Sequence, residues 1–378
     1  MAPGKPADRA PGVKDVAALA GVSVGTVSNV VNGRGTVRPA VRERVEAAIT
    51  ELGYVPNPTA QALRKGVSPL VGVAVFDLTN PFFMEAAAGI ERRLSEEGCV
   101  MSLSSTHSDS RREAQLLRTL ARQAVRGILL TPADSELAVA HELVERGVPL
   151  VLFDSPDTPP DISSISIDDR AGATLAIEHL LALGHRDLLF LNGPMSVRQA
   201  RNRQRGVDDA IAHWSEREAK DAAFTGPSIR LETLNVEDFT ADAGRQAMFD
   251  YLESRGIAAH AGSDGIDQPT GPLSPPDLPQ GFPTGIFCAN DLIAFGAMTA
   301  LRDSGVRVPQ DVSLVGFDDI AIAAEMSTPL TTVHQPMVEL GTEAVNLLLK
   351  STRPDASVTH LKFYPRLVVR KSTAAPSR

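Results

Sequence analysis

The sequence predicts a small all-α head containing a helix-turn-helix, followed by a large α/β core of two lobes. In residues 13–52, apolar side chains recur at helical spacing, and Gly21 interrupts them. From Pro69 onward, short apolar runs alternate with helical stretches of roughly 10–15 residues, a pattern typical of βαβ units and a parallel sheet. The alternation restarts near residue 171, so we expect two sheets with a cleft at the carboxyl ends of their strands.

The head is predicted from three short helical segments. Val16, Leu19 and Ala20 recur at helical spacing before Gly21 and indicate the first helix, and Ser23 is a suitable N-cap for the second helix, Val24–Val31. On this second helix the valines face inward, which leaves small residues outward: Gly25, Thr26, Ser28 and Asn29. A third amphipathic helix covers about residues 39–52. The second helix of such a motif enters the major groove of DNA, where hydroxyl and amide groups can bind base edges or phosphates.

The charge distribution agrees with a nucleic-acid-binding head. The chain has 378 residues and a formal net charge of −9, with 43% hydrophobic and 22% charged residues, as in ordinary soluble proteins of two or three domains. Residues 1–66, however, hold nine lysines and arginines against five acidic residues. A basic end on an acidic body confines attraction for phosphate to that end.

The remaining composition indicates a cytoplasmic, nucleoid-associated protein. Cys99 and Cys288 lack metal-like spacing and are expected to be free, buried thiols in a reducing compartment. No apolar run approaches the ~18 residues of a membrane span, and the N-terminus lacks a hydrophobic signal core. Neither a catalytic motif nor a metal-ligand pattern occurs in a suitable context. We therefore expect no enzymatic activity, no cofactor, no metal and no membrane partner.

The N-terminal region resembles the lactose/galactose repressor (LacI/GalR) family of bacterial transcription regulators. The resemblance is carried by VKDVAALAGVSVGTVSNVVN, VRERVEAAITELGYVPN and AQALR, in this order and spacing. It implies a disordered leader at 1–12, a DNA-binding domain at 13–56 and a hinge at 57–66. The candidate DNA contacts in the DNA-binding domain are Val24, Gly25, Thr26, Ser28, Asn29, Asn32 and Arg38.

The hinge is expected to contain a short helix at 59–64. Asn57 is a good N-cap for it, and Pro58 fits the first helical position. A helix this short is marginal alone in water, so it needs DNA or a second copy to hold it. The resemblance implies that Asn57, Ala60 and Leu63 contact DNA, with Leu63 inserted into the minor groove as a wedge. The alternative is an inert linker.

For residues 67–378 the resemblance implies a two-lobed, type I periplasmic-binding-protein-like domain for effector binding and dimerisation. Its chain would cross between lobes near Ile167, Pro309 and Gln335-Pro336. Lobe one would cover about 67–166 and 310–336, and lobe two about 167–309 and 337–372, before a short frayed tail. A Pro/Gly-rich insertion at 257–284 departs from the family pattern. It is either a tolerated surface loop or a segment that covers the cleft or meets another protein.

Several polar and aromatic residues directly follow apolar strand runs, and each matches a family position for effector contact. They are Asp77, Asn80, Phe82, Asp154, Arg203, Phe239, Asn290 and Asp291. Arginine and carboxylates pair with vicinal hydroxyls, and an aromatic face can cover the C–H face of a sugar ring. Asp291 could instead simply cap the following helix.

Together these features predict a homodimeric transcriptional regulator that binds a pseudo-palindromic operator in double-stranded DNA. We expect a repressor of carbohydrate-utilisation genes that is relieved by a small, sugar-like effector. A nucleobase or nucleoside effector, or a corepressor, is the alternative within this class. A sugar-binding transport module and a sugar- or nucleoside-processing enzyme are the alternatives outside it.

Overall fold

A computed structural model describes residues 11–31, 37–54, 68–133, 136–156, 158–221, 225–258, 276–353 and 355–377. The chain forms two compact units, Met1–Pro69 and Leu70–Arg378. The hinge segment 57–66, the predicted leader up to residue 10 and residues 259–275 of the predicted insertion lie outside the described residues.

The described residues of the first unit form a head of three helices, α1 (Val13–Ala20), α2 (Val24–Val31) and α3 (Pro39–Leu52). Gly21 ends α1 with φ of 63°, a left-handed conformation that glycine adopts without steric cost. The Ser23 hydroxyl accepts the backbone N–H of Thr26 at 3.1 Å, which is the predicted N-cap of α2. The helices share one apolar core that includes Val16, Val27 and Val45, so the helix-turn-helix prediction is confirmed.

The second unit contains two six-stranded sheets with helices between the strands. The strands are β1 (Leu70–Val75), β2 (Val100–Ser105), β3 (Gly127–Leu130), β4 (Leu150–Phe153), β5 (Ser163–Ile167), β6 (Asp187–Asn192), β7 (Arg230–Asn235), β8 (Gly285–Cys288), β9 (Ser313–Asp318), β10 (Thr331–His334), β11 (His360–Phe363) and β12 (Arg366–Val368). The helices are α4 (Pro81–Glu96), α5 (Ser110–Arg122), α6 (Ala138–Glu145), α7 (Asp169–Ala182), α8 (Arg198–Lys220), α9 (Ala241–Ser254), α10 (Asp291–Asp303), α11 (Ile322–Glu325) and α12 (Met337–Ser351).

The two sheets have matching strand orders. The first sheet runs β11-β5-β4-β3-β1-β2 and is parallel throughout. The second runs β12-β10-β9-β8-β6-β7 and is parallel except for the antiparallel pair β10–β12. In the first sheet β1 lies between β2 and β3, and in the second sheet β6 lies between β7 and β8, so the strand order reverses at β1 and at β6. At such a switch point a crevice opens at the carboxyl ends of the strands. The predicted two-lobed α/β architecture is confirmed.

The predicted lobe assignment is wrong for two segments. β9 and β10 pair beside β8 in the second sheet, so residues 310–336 belong to the second lobe rather than the first. Conversely, α12 packs on α4 and on β3 to β5, and β11 pairs with β5, so residues 337–363 belong to the first lobe. The chain crosses between lobes after β5, after β10 and between β11 and β12, and not near Pro309. Local periodicity carries no information on which distant strand will pair.

The C-terminal tail also differs from the expected frayed end. Ser372 is fully buried, and its hydroxyl accepts the N–H of Thr331 at 2.8 Å. The backbone N–H of Ala374 donates to the hydroxyl of Ser313 at 2.9 Å. These bonds hold the tail against β9 and β10 of the second lobe.

Two further features bear on the predictions from composition. Cys99 and Cys288 are both free and buried, as predicted. Among the helices that the structure describes, none is long and apolar enough to cross a membrane.

Candidate functional site

A cleft of about 370 Å³ lies between the two lobes at the carboxyl ends of their strands. We call it the inner compartment. The first lobe contributes Phe76, Asn80, Phe82, Phe83 and Asp154. The second lobe contributes Val197, Gln199, Arg203, Phe239, Asn290, Asp318 and Gln335. The parallel strands bring these residues together because each lies at, or shortly after, the carboxyl end of a strand or in the helix that follows.

A buried arginine lies at the centre of the polar groups. Arg203, on α8, is 5% exposed, and its guanidinium pairs with Asp169 at 2.8 Å. It also donates to the backbone carbonyl of Ala289. The ring of Phe317 lies 3.9 Å from the guanidinium, which is therefore fixed by a carboxylate, a carbonyl and an aromatic face.

Two aspartates of the cleft have left-handed backbone conformations. Asp154 has φ of 49° and Asp318 has φ of 116°, values that residues other than glycine seldom adopt. Each such residue costs on the order of 1–3 kcal/mol, and this kind of strain concentrates at functional sites. Here it places two carboxylates, one from each lobe, in the wall of the same cleft.

Burial changes the protonation chemistry of these carboxyls. Loss of hydration raises the pKa of Asp154 well above its usual range, with a further rise from the charge of Asp169. Burial also raises the pKa of Asp318 to about 7, against the opposing effect of Arg203. The cleft can therefore offer either a proton donor or a carboxylate acceptor near neutral pH.

Two glutamines hold these aspartates. The Gln199 side-chain amide donates to the Asp154 carboxylate at 3.1 Å, and that of Gln335 donates to Asp318 at 2.6 Å. Both glutamines are buried, and the Oε1 atom of each accepts no hydrogen bond from the residues that the structure describes. The carboxyl groups of Asp154 and Asp318 thus give each lobe a polar group in the cleft wall, and a ligand with several hydroxyls can pair with both.

The asparagines of the cleft are helix caps as well as lining residues. The Asn80 side chain accepts the N–H of Phe82 at 3.0 Å at the start of α4. The Asn290 side chain accepts the N–H of Ile293 at 2.9 Å at the start of α10, and its amide donates to the carbonyl of Phe239 at 3.2 Å. This second bond holds the backbone at Phe239, which follows β7, beside Asn290 in the cleft wall.

The second candidate surface is α2 of the head. Val24, Gly25 and Asn29 are exposed along it, whereas Thr26 and Ser28 are half-buried. Arg38 is exposed at the N-cap of α3. Asn32, Asn57, Ala60 and Leu63, the other predicted DNA contacts, lie outside the described residues. Leu19 of α1 is 46% exposed, although it shares the apolar spacing of Val16 and Ala20.

Comparison with known proteins covers both units. The bacterial regulatory proteins of the lacI family match residues 12–57. The periplasmic binding proteins and sugar binding domain of the LacI family match residues 68–230, and the periplasmic binding protein-like domain matches 177–373. The ribose operon repressor of Escherichia coli (strain K12) is 33% identical over 363 residues, covering 95% of this chain and 99% of the relative. The chain belongs to the lacI family.

Further members of the lacI family extend the comparison. The HTH-type transcriptional repressor PurR of Photobacterium profundum is 29% identical over 362 residues, with 95% of this chain and 98% of the relative covered. A lac repressor dimer bound to operator and the anti-inducer ONPF has a TM-score of 0.78 at 32% identity, covering 97% of this chain and all of that one. A LacI family regulator from Enterococcus faecium with bound ribose has a TM-score of 0.64 at 27% identity, covering 81% and 99%.

In this lacI-family chain, six of the eight predicted effector residues line the inner compartment: Asn80, Phe82, Asp154, Arg203, Phe239 and Asn290. The other two, Asp77 and Asp291, form hydrogen bonds within the protein, and neither is among the described residues that line the compartment. Asp77 accepts the N–H and the hydroxyl of Thr79 at 2.9 and 2.6 Å. Asp291 is fully buried and accepts the hydroxyl of Thr332 at 2.6 Å and the N–H of Ile320 at 3.0 Å.

Sequence reasoning did not select Asp318 and Gln335 as site residues. Asp318 ends the apolar run SLVGFD, just as Asp154 follows the run PLVLF, so the same signal was present. Gln335 follows TTVH and was considered only as a crossing point between lobes. Placing β9 in the wrong lobe hid the fact that both residues face the same cleft as Arg203.

Proposed function

We propose that this lacI-family chain is a transcriptional repressor that binds a pseudo-palindromic operator as a homodimer and releases it when a small sugar occupies the inner compartment. The observation that carries the sugar assignment is the set of polar groups in the cleft wall. The carboxyl groups of Asp154 and Asp318 and the side chains of Asn80, Asn290 and Arg203 suit a ligand with several hydroxyls, because each hydroxyl both donates and accepts hydrogen bonds.

The aromatic residues support the same ligand class. Phe82 and Phe239 line the compartment from opposite lobes, and apolar rings of this kind can cover the C–H face of a sugar ring. Arg203 supplies a fixed pair of donors for sugar oxygens. We favour a pentose, because the relatives include a ribose operon repressor and a regulator solved with bound ribose.

The DNA-binding part of the proposal rests on the head. Val24, Gly25 and Asn29 are exposed on the second helix of the motif, where small side chains allow close approach to base edges. The match of residues 12–57 to lacI-family regulators separates this chain from a sugar-binding module that serves transport alone.

The test is a selection of genomic DNA fragments by the purified full-length chain at near-physiological salt, followed by fluorescence anisotropy on the recovered sites. We expect a few pseudo-palindromic sites and release by D-ribose, but not by D-glucose. The Asn29→Ala variant should bind the site more weakly by about 1–3 kcal/mol, the usual value of one base contact, while its affinity for ribose stays unchanged. Recovery of only bulk, salt-sensitive DNA would contradict sequence-specific binding.

The same assay distinguishes the alternative effector class. Hypoxanthine or guanine would be added in place of ribose. Tighter operator binding with a purine base, and no effect of ribose, would replace the sugar-induced repressor by a corepressor-dependent one.

A further inference from the structure

The cleft continues beyond the inner compartment into a second space of about 480 Å³, which we call the outer compartment. The two compartments share a wall formed by Phe76, Asp154, Val197 and Gln199. The outer compartment lies between the loops after β2, β3 and β4 of the first lobe and the start of α8 in the second. It is therefore continuous with the proposed sugar site rather than a separate pocket on the surface.

A pentose does not need this outer space. Known ligand sites measure roughly 300–1,000 Å³ for ligands larger than a monosaccharide, so the inner compartment alone holds a pentose. The buried Arg203 and Asp318 both line the inner compartment and not the outer one. A pentose bound to them would leave the outer compartment for a substituent of the sugar.

The outer compartment has a different chemistry from the inner one. Its apolar lining includes Phe76, Pro132 and Pro156, and its polar lining includes Ser108, Ser196 and the cationic Arg198. Apolar surfaces beside hydrogen-bonding groups suit a planar heteroaromatic ring, whose faces are apolar and whose edges form hydrogen bonds.

The charges around the outer compartment are mixed. Asp154 forms part of the shared wall, and Asp169 and Asp318 lie close enough to interact with it electrostatically. The cationic Arg198 also lines the outer compartment. Charge alone therefore does not distinguish a phosphate group from a neutral ring, and it is the apolar lining that favours the ring.

We propose that the effector is a ribonucleoside, with its pentose in the inner compartment and its neutral base in the outer compartment. The inference rests on the proposed function, because it requires a pentose in the inner compartment. It assigns the outer compartment as the part of the cleft that selects the effector among pentose derivatives.

Isothermal titration calorimetry of the full-length chain would compare D-ribose, D-glucose, uridine, adenosine and ribose 5-phosphate. Stacking of a base on an aromatic side chain contributes enough to tighten binding by about tenfold or more, so we expect at least one nucleoside to bind that much more tightly than ribose. Ser196 is exposed and lines only the outer compartment. The Ser196→Trp variant should fill that space and remove the advantage of the nucleoside while leaving ribose within about twofold, and Ser196→Ala is the matched control.

The outcomes separate the two proposals. If ribose binds as tightly as every nucleoside and Ser196→Trp changes neither, the outer compartment selects nothing and this inference is wrong. If ribose 5-phosphate binds most tightly, the substituent is anionic and the inference is also wrong, although the pentose assignment survives. If neither ribose nor any nucleoside binds while a hexose does, the proposed pentose effector itself is wrong.

Discussion

At the scale of single residues, Arg203 has two roles that have to be separated. Its guanidinium pairs with Asp169 at 2.8 Å and lies over Phe317 at 3.9 Å, so it stabilises the second lobe before any ligand is present. It also lines the inner compartment. Removing one partner of a buried ion pair leaves the other charge buried and unpaired, which costs more than the pair itself contributes.

We therefore expect Arg203→Ala to lower the free energy of unfolding by about 3–5 kcal/mol and to abolish the response to sugar. Arg205→Ala, two residues along α8 at an exposed position, is the control and should change stability by less than about 0.5 kcal/mol. Urea unfolding can be followed by the fluorescence of Trp214, the single tryptophan, which packs against the core of the second lobe. Equal midpoints for the two variants would show that Arg203 serves the ligand alone.

Asp318 gives a prediction for pH dependence. Its pKa is about 7 in the folded chain because of burial, compared with about 3.9 when unfolded. Between these values the folded chain keeps a proton that the unfolded chain has released. The contribution of Asp318 to stability therefore falls as pH rises from about 4 to about 7, by up to about 1.4 kcal/mol per pH unit, and is constant above that range.

In Asp318→Asn this contribution is absent, so the variant should lose less stability than the natural chain between about pH 4 and pH 7. The amide keeps an oxygen that can accept the bond from Gln335. Asp250→Asn, at an exposed site on α9, is the control and should leave the pH profile unchanged. Parallel profiles for the natural chain and Asp318→Asn in urea unfolding would mean that Asp318 is already ionised at pH 5.

At the scale of elements, several residues at helix N-termini line the cleft. At Asn290, different substitutions can separate its role as the cap of α10 from its role in ligand binding. Asn290→Ala removes the cap of α10 and should cost about 0.5–2 kcal/mol of stability. Asn290→Asp keeps the capping oxygen but loses the donor to the Phe239 carbonyl, so it should keep α10 and weaken sugar binding.

The matched control is Thr240→Ala. The Thr240 hydroxyl caps α9 by accepting the N–H of Ala243, and Thr240 does not line the inner compartment. It should lower stability by a similar amount and leave sugar affinity intact. Thermal unfolding and calorimetry would measure the two quantities. If Thr240→Ala weakened sugar binding as much as Asn290→Ala, the effect would come from loosened helices and not from a contact with the ligand.

The elements themselves were largely predictable from the sequence. The predicted alternation of short apolar runs with helical stretches corresponds to the observed order of strands and helices in both lobes. A helix such as α4 has its own cap, Asn80, and an apolar stripe that includes the buried Phe83 and Ile90. The end of α8 has no such signal, because its last turns, SEREAK, are mostly charged and have no apolar stripe.

At the scale of the whole molecule, the sequence was informative only where contacts are local. The pairing of β9 with β8 and the packing of α12 on α4 join segments far apart in the chain. The contact between α12 and α4 is so close that a Cβ atom added at Gly89 would lie 2.2 Å from the backbone oxygen of Val338. No periodicity reveals such a contact. Gln335 could likewise be assigned to the cleft only once the sheet order was known, whereas Asp318 carries the same local signal as Asp154.

The proposed coupling between cleft and head has a consequence that holds for any mechanism. If saturation with ribose lowers the operator affinity by some factor, then the operator must lower the ribose affinity by the same factor, typically 5–150-fold or about 1–3 kcal/mol. Anisotropy titrations of the operator with and without ribose give the first factor, and calorimetry of ribose with and without operator gives the second. Phe239→Ala, in the cleft, should weaken ribose about tenfold and leave the operator affinity of the free protein unchanged. Unequal factors in the natural chain would mean that ribose acts at a second site, because two ligands that bias one conformational equilibrium cannot differ in their mutual effect.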